Sequence, residues 1–287
     1  MSLPEICIAV EMGLIYGIVS LGLFLTFRIL DYSDLTVDGS FLTGAALSGT
    51  LLTKGMNPWL ALVFSMVGGG MAGLVTAFLH LNCKISTLLS GIITTFILYS
   101  VCLRLMGDLP NISLISESTV FMGHHELVIL LVISFLMGAG SFLLLSTDWG
   151  LSLRSTGRNP KLARNYGVRV SFMLLWGLVL SNSLVGLAGG LFAQFQNFAD
   201  ISQGVGTVIF GLAGLVIGES FFPNRGIFFQ ILACFMGSVF YRLLVALALH
   251  SDSLGLRSSD LNLLTGVALT LFMVWPLLRE KIKNARA

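Results

Sequence analysis

The chain has 287 residues, 55% of them hydrophobic and only 10% charged, with 32 glycines and a formal net charge of +2. A soluble domain carries about 25% charged residues, so this composition excludes an ordinary soluble protein and describes a chain that crosses a membrane several times. So small a net charge does not imply a nucleic-acid or acidic partner, and what matters is where the charges sit.

A spanning helix needs about 20 apolar residues. By that measure nine segments are expected, at 5–27, 39–53, 58–80, 85–106, 126–146, 171–193, 201–220, 226–249 and 260–278. The fold class is therefore all-α, a single polytopic membrane domain of about nine transmembrane helices. The N-terminus lacks a basic leader and carries Glu5 and Glu11, so the first segment is expected to stay as a helix. The second and seventh segments are short and glycine-rich, which suits partly spanning or discontinuous helices.

With the N-terminus outside and the C-terminus in the cytoplasm, the inner side receives 12 of the 16 basic residues: Arg28, Lys84, Arg154, Arg158, Lys161, Arg164, Arg169, Arg225, Arg279, Lys281, Lys283 and Arg286. Lys54, Arg104, Arg242 and Arg257 remain on the outer side, and the loop 107–125 has no Lys or Arg. This asymmetry sets the orientation.

The stretch DYSDLTVDGS, 31–40, breaks the chain between the first and second segments. It does not have the spacing of a calcium loop, which needs acids at positions 1, 3 and 5 and Glu at 12. A solvated turn accounts for Asp31 and Asp34. Asp38, Gly39 and Ser40 stand at the start of a short helix, where Asp38 can cap free N–H groups. Non-helical backbone at membrane depth must be buried in protein or line water, so Asp38 and Ser40 are read as gate residues. Residues 22–49 also align weakly with 190–218, both passing from a helix end through an Asp-containing break into a glycine-rich helix. Facing opposite sides, they would form an inverted repeat.

Further pathway candidates are polar residues within the apolar segments, because an uncompensated ionisable group there costs at least ~2.5 kcal/mol. Glu11 and Arg242 lie at similar depths, ~9 and ~12 Å from the outer side, and are expected to pair or to flank the external mouth. Thr94, Thr95, Asn182 and Gln194 would line the path or bond between helices. Glycine pairs at spacing four (Gly13 and Gly17, Gly69 and Gly73, Gly186 and Gly190, Gly214 and Gly218) point to close helix packing, with a dimer face as the alternative. The cysteines Cys7, Cys83, Cys102 and Cys234 fit no metal or disulfide framework, and the HHE run at 124–126 lacks a second ligand pair; no metal and no cofactor are expected.

The longest inner loop holds RNPKLARNYGVRVS, 158–171. Asn159 can cap a short helix that opens with Pro160 and ends at Gly167. This pattern, with the small-residue helix ending LAGGLFA, resembles the coupling segment of ABC importer permeases of the branched-chain amino acid and ribose type. The wording DLTVDGS is most similar to permeases paired with tryptophan- or tyrosine-type binding proteins. The resemblance covers roughly residues 10–280. It implies that Asn159, Pro160, Lys161, Leu162, Ala163, Arg164, Asn165, Tyr166 and Gly167 dock onto a separate ATPase. The chain departs from the family at GESFFPNRG, 218–226, where a glycine-rich turn is usual.

The chain holds no GxxxxGK[ST] motif, so it is not expected to be an enzyme, and any ATP would be hydrolysed on a partner chain. The resemblance implies a permease subunit of an importer in the bacterial cytoplasmic membrane, moving a small amino acid-like solute inward. Its partners would be cytoplasmic ABC ATPases, an extracytoplasmic substrate-binding protein, a second permease subunit (most simply a homodimer) and the lipid bilayer. An ion-coupled secondary transporter is the alternative.

Overall fold

A computed structural model describes residues 3–123, 125–222 and 226–249 together with residues 266, 267 and 270. The ninth expected segment falls almost wholly outside these residues, as do His124, Arg225, Arg257, Arg279, Lys281, Lys283 and Arg286.

Helix α1, Leu3–Leu23, runs on through a π-helical turn, Phe24–Ile29, and after an extended break α2 follows as Val37–Thr53. Then come α3 (Pro58–Leu81), α4 (Thr87–Leu105), a short strand β1 (Asn111–Ser113), α5 (Glu126–Ser146), α6 (Asp148–Arg158) and α7 (Pro160–Asn165). The long helix α8 (Val170–Gln196), strand β2 (Phe198–Asp200), α9 (Thr207–Phe221) and α10 (Ile227–Leu249) complete the described chain. Local chemistry sets the boundaries. Asn57 caps α3 by accepting the Trp59 N–H at 2.9 Å, with Pro58 at the first helical position. Asn197 ends α8 in the left-handed conformation, φ 58°.

Six helices are long and apolar enough to cross a membrane: Leu3–Ile29, Pro58–Leu81, Thr87–Leu105, Glu126–Ser146, Val170–Gln196 and Ile227–Ala248. Of the nine expected segments, six are these helices, two are the shorter helices α2 and α9, and the ninth lies almost wholly outside the described residues. Helices α2 and α9 have 17 and 15 residues, about 26 and 23 Å of rise against a hydrocarbon core of about 30 Å. The sequence pattern placed them rightly but cannot tell a short helix from a crossing one.

The helices α1, α2, α3, α8, α9 and α10 form the packed centre, and glycines set its close approaches. A Cβ on Gly13 would lie 2.6 Å from the Val239 backbone, and one on Gly73 2.5 Å from the Leu178 carbonyl. Gly69 and Gly186 meet backbone to backbone, Gly190 lies against Ser65, and Gly214 and Gly218 lie against Ser238 and Ala233. All four glycine pairs seen in the sequence are thus used within one chain, so the dimer-face alternative has no support from them. On the face opposite the basic loops, β1 pairs antiparallel with β2, joining the 107–125 loop to the end of α8.

Candidate functional site at the junction of two short helices

Helix α2 runs alongside α8 in the same direction. Ser40 Oγ donates to Asn182 Oδ1 at 2.6 Å, and Gln194 Nε2 donates to Ser48 Oγ at 3.1 Å. Asn182 is 12 residues into the 27-residue α8, so α2 begins near the middle of the bundle and runs towards the β1–β2 face. Helix α9 runs alongside the second half of α1. Phe210 packs edge-on against Tyr16 at 5.6 Å, Ser20 Oγ donates to the Gly211 carbonyl at 2.7 Å, and Arg28 pairs with Glu219. Tyr16 is midway along Leu3–Ile29, so α9 also begins in the middle and runs the other way.

The two starts meet at Asp38. From the first turn of α2 its carboxylate reaches across to α9, accepting the Val208 N–H at 2.9 Å and the Gly206 N–H at 3.2 Å. It was expected to cap its own helix. Instead it satisfies orphan donors of the other short helix and places a negative charge at that helix's positive end. Gly206 takes φ 81°, which lets the chain turn into α9 here.

The two breaks leading to this point are built alike. Asp34 Oδ1 accepts the Thr36 N–H at 2.8 Å, and its Oδ2 accepts the Asn182 side-chain amide at 2.7 Å. Asp200 Oδ1 accepts the Ser202 N–H at 2.7 Å, and its Oδ2 accepts the Asn111 amide at 3.1 Å. The environments differ. Asp34 is fully buried, a correction to the solvated turn expected there. At the half-buried Asp200, burial acts to raise the carboxyl, but the bonds from Ser202 and Asn111 outweigh it and hold the group below the usual carboxylate range.

Around Asp34 a polar chain continues from helix to helix. Thr36 bonds Thr76 at 2.6 Å, Thr76 donates to Thr94 at 3.0 Å, and Thr94 donates back to the Ser90 carbonyl at 2.9 Å. Thr95 donates to the Leu35 carbonyl at 3.1 Å, and the Tyr32 hydroxyl meets Ser90 at 2.9 Å. Thr94, Thr95 and Asn182 are therefore occupied in holding the break in place. Gln194 likewise accepts the Val120 N–H at 3.0 Å and so anchors the 107–125 loop.

Glu11 and Arg242 do not come together. Glu11 is buried on α1 and forms no ion pair with Arg242. Arg242 turns instead over the Tyr16 ring, 4.2 Å from its centroid, and lies 5.5 Å from that of Phe210. The aromatic face supplies the attraction a carboxylate was expected to give. Tyr16 also stacks on Phe41 at 6.1 Å and meets Phe192 edge-on at 6.0 Å, so four rings and one cation close the core beside Asp38. The ion pair found among the described residues, Arg28 to Glu219, was not foreseen. Nor was Asp34 singled out, although Asp-x-Thr is the sequence of an Asx turn. The aromatic cluster carries no such signal, since its members come from four separate helices.

On the basic face, the capped turn forms as the spacing predicted. Asn159 accepts the Leu162 N–H at 3.0 Å, Pro160 opens α7, and Gly167 leaves it at φ 83°. Ala163 is the buried foot, while Lys161, Leu162, Arg164, Asn165 and Tyr166 are exposed. Tyr166 is 81% exposed. The preceding helix α6 is locked to the rest of the protein: Gly157 lies against the Ile29 carbonyl, and Gly177 of α8 against Leu30 and Leu153. The exposed turn is thus tied to the π-turn from which the chain enters its first break.

The sequence model of the branched-chain amino acid transport system permease component matches residues 7–274. The chain is 36% identical over 276 residues to a tyrosine transport system permease protein of Clostridioides difficile, covering 96% of this chain and 92% of that protein. It is 34% identical to an uncharacterized protein of Rickettsia prowazekii, over 91% of this chain and 94% of that protein. A guanosine ABC transporter permease protein of Bacillus subtilis is 26% identical over 56% of this chain and 57% of its own length. No solved structure matches. With six apolar spanning helices and a family match over nearly its whole length, the chain belongs to the branched-chain amino acid transport system permease components, membrane proteins of ABC transport systems.

Proposed function

We propose that this chain is the transmembrane subunit of an ABC importer that moves a small amino acid-like solute inward, with ATP hydrolysed on separate subunits. The observation that carries this reading is the exposed turn Asn159–Gly167, built on a buried Ala163 and locked through Gly157 to the π-turn at Ile29. A push on α7 is then delivered to the break that leads to Asp34 and Asp38. In the membrane the N-terminus is outside and the basic face is cytoplasmic, so Lys161, Leu162, Arg164, Asn165 and Tyr166 meet an ATPase. Two permease subunits, two ATPases and an external binding protein complete the assembly, and the bundles rock between inward- and outward-open states.

The matching Asx turns of Asp34 and Asp200, and the two short helices that start in mid-bundle, support an inverted repeat of 22–49 and 190–218. The amino acid reading of the solute is supported by the tyrosine permease relative. The burial of Glu11 and the hydrogen bonds that hold Asp34 and Asp38 give no support to a mobile coupling ion. The test is purification in mild detergent from the native host. The wild-type chain should carry an ABC ATPase with it, and Ala163→Arg should lose the ATPase and solute uptake while the permease remains folded. Uptake that continues without an ATPase and follows a proton or sodium gradient would overturn the reading.

A further inference from the structure

A cavity of about 510 Å³ opens on the basic face between the π-turn, α6, the end of α9 and the start of α10. Its charged residues are Arg28, Arg154, Arg158 and Glu219, Ser155 and Gln230 add neutral polar groups, and Phe24 and Ile227 contribute apolar surface. The charges do not balance. Glu219 is taken by Arg28, which donates to both carboxylate oxygens, from Nε at 2.6 Å and from Nη2 at 2.5 Å. Arg154 and Arg158 have no carboxylate within ion-pair distance among the described residues. They stand four apart on α6, a spacing at which like charges repel. Arg154 Nε is also buried with no hydrogen-bond partner, and a buried donor without an acceptor is unfavourable.

We propose that this cavity binds a phosphate-bearing anion between Arg154 and Arg158, with Arg28 at its rim. Guanidinium forks match phosphate oxygens in pairs, and one such anion relieves both the repulsion and the orphaned donor. Arg28 lies one residue before the end of the span Leu3–Ile29, the level at which lipid phosphates sit. Basic pockets between helix ends are where anionic headgroups bind. The apolar wall beside the arginines fits the glycerol and first acyl carbons of such a lipid, and soluble phosphate shares the same recognition chemistry. The bound anion would bridge α6 to α9 and α10, and so stiffen the base of the exposed α7 turn. The site does not depend on which solute is moved.

The full-length protein is placed in nanodiscs of phosphatidylcholine alone, of phosphatidylcholine with phosphatidylglycerol, and of phosphatidylcholine with inorganic phosphate in the buffer, all at equal ionic strength. Thermal unfolding is followed by maleimide labelling of the buried Cys102 and Cys234, in a background where Cys7 and Cys83 are serine. Phosphatidylglycerol should raise the midpoint by about 3 °C, and native mass spectrometry should show it retained. The double variant Arg154→Gln, Arg158→Gln should lose the rise, and Lys84→Gln, a basic residue outside the cavity, should keep it. Arg158→Gln alone changes an exposed side chain and should reduce the rise even if the double variant folds poorly. An equal rise with inorganic phosphate supports the site and makes soluble phosphate its source. No rise in either arm, or an undiminished rise in Arg158→Gln, overturns the proposal.

Discussion

Replacing Asp38 by alanine removes both acceptors from the mid-bundle start of α9, leaving the Gly206 and Val208 N–H groups without partners. Loss of an N-cap costs about 0.5–2 kcal/mol, and a hydrogen bond to a charged group is worth about 1.5–3 kcal/mol. The two bonds act on one helix start and are not additive, so about 3 kcal/mol is expected for the pair. That corresponds to a drop of about 8 °C in unfolding midpoint for a chain of this size. Cys102 and Cys234 are buried, so thiol labelling on heating reads the transition in a background where Cys7 and Cys83 are serine. Asp38→Asn keeps one acceptor oxygen and should lose less than half as much. Solute uptake by the reconstituted transporter should fall in the same order. If Asp38→Ala unfolds within about 1 °C of the wild type and transports normally, the junction is not held by this carboxylate.

Asn182→Leu should be more severe, since it strands the fully buried Asp34 and also removes the acceptor of Ser40; about 3 kcal/mol or more should appear as little folded protein by fluorescence-detected size exclusion. Gly186→Val places side-chain atoms against Ser65 and Gly69 backbone and should abolish folding, whereas Gly140→Val, whose Cβ meets nothing within 4 Å, should be neutral by the same measure. The Arg28–Glu219 pair is 51% and 33% exposed, so Glu219→Gln should cost no more than about 1 kcal/mol; a midpoint change larger than that of Asp38→Ala would contradict the ranking.

The apolar segments and the capped turn at 159–167 were legible because each rests on local chemistry: window hydropathy, an Asn–Pro start and a glycine stop. These elements depend on neighbours in the sequence, and the two segments expected to be short, α2 and α9, are the short ones, with 17 and 15 residues. The roles of the polar residues were a different matter. Asp31 and Asp34 look equivalent in the chain, yet one is exposed in a left-handed turn at φ 52° and the other is fully buried against Asn182, 148 positions away. Arg242 has an acid at matching depth in Glu11, but helix rotation turned it onto an aromatic ring instead. Composition and periodicity thus determined a membrane bundle and the exposed turn. Only tertiary packing decided that two short helices start back to back in the middle of the bundle with Asp38 between them. A buried carboxylate takes whatever donors the packed backbone presents to it, and the direction in which those donors point is not written in the sequence around it.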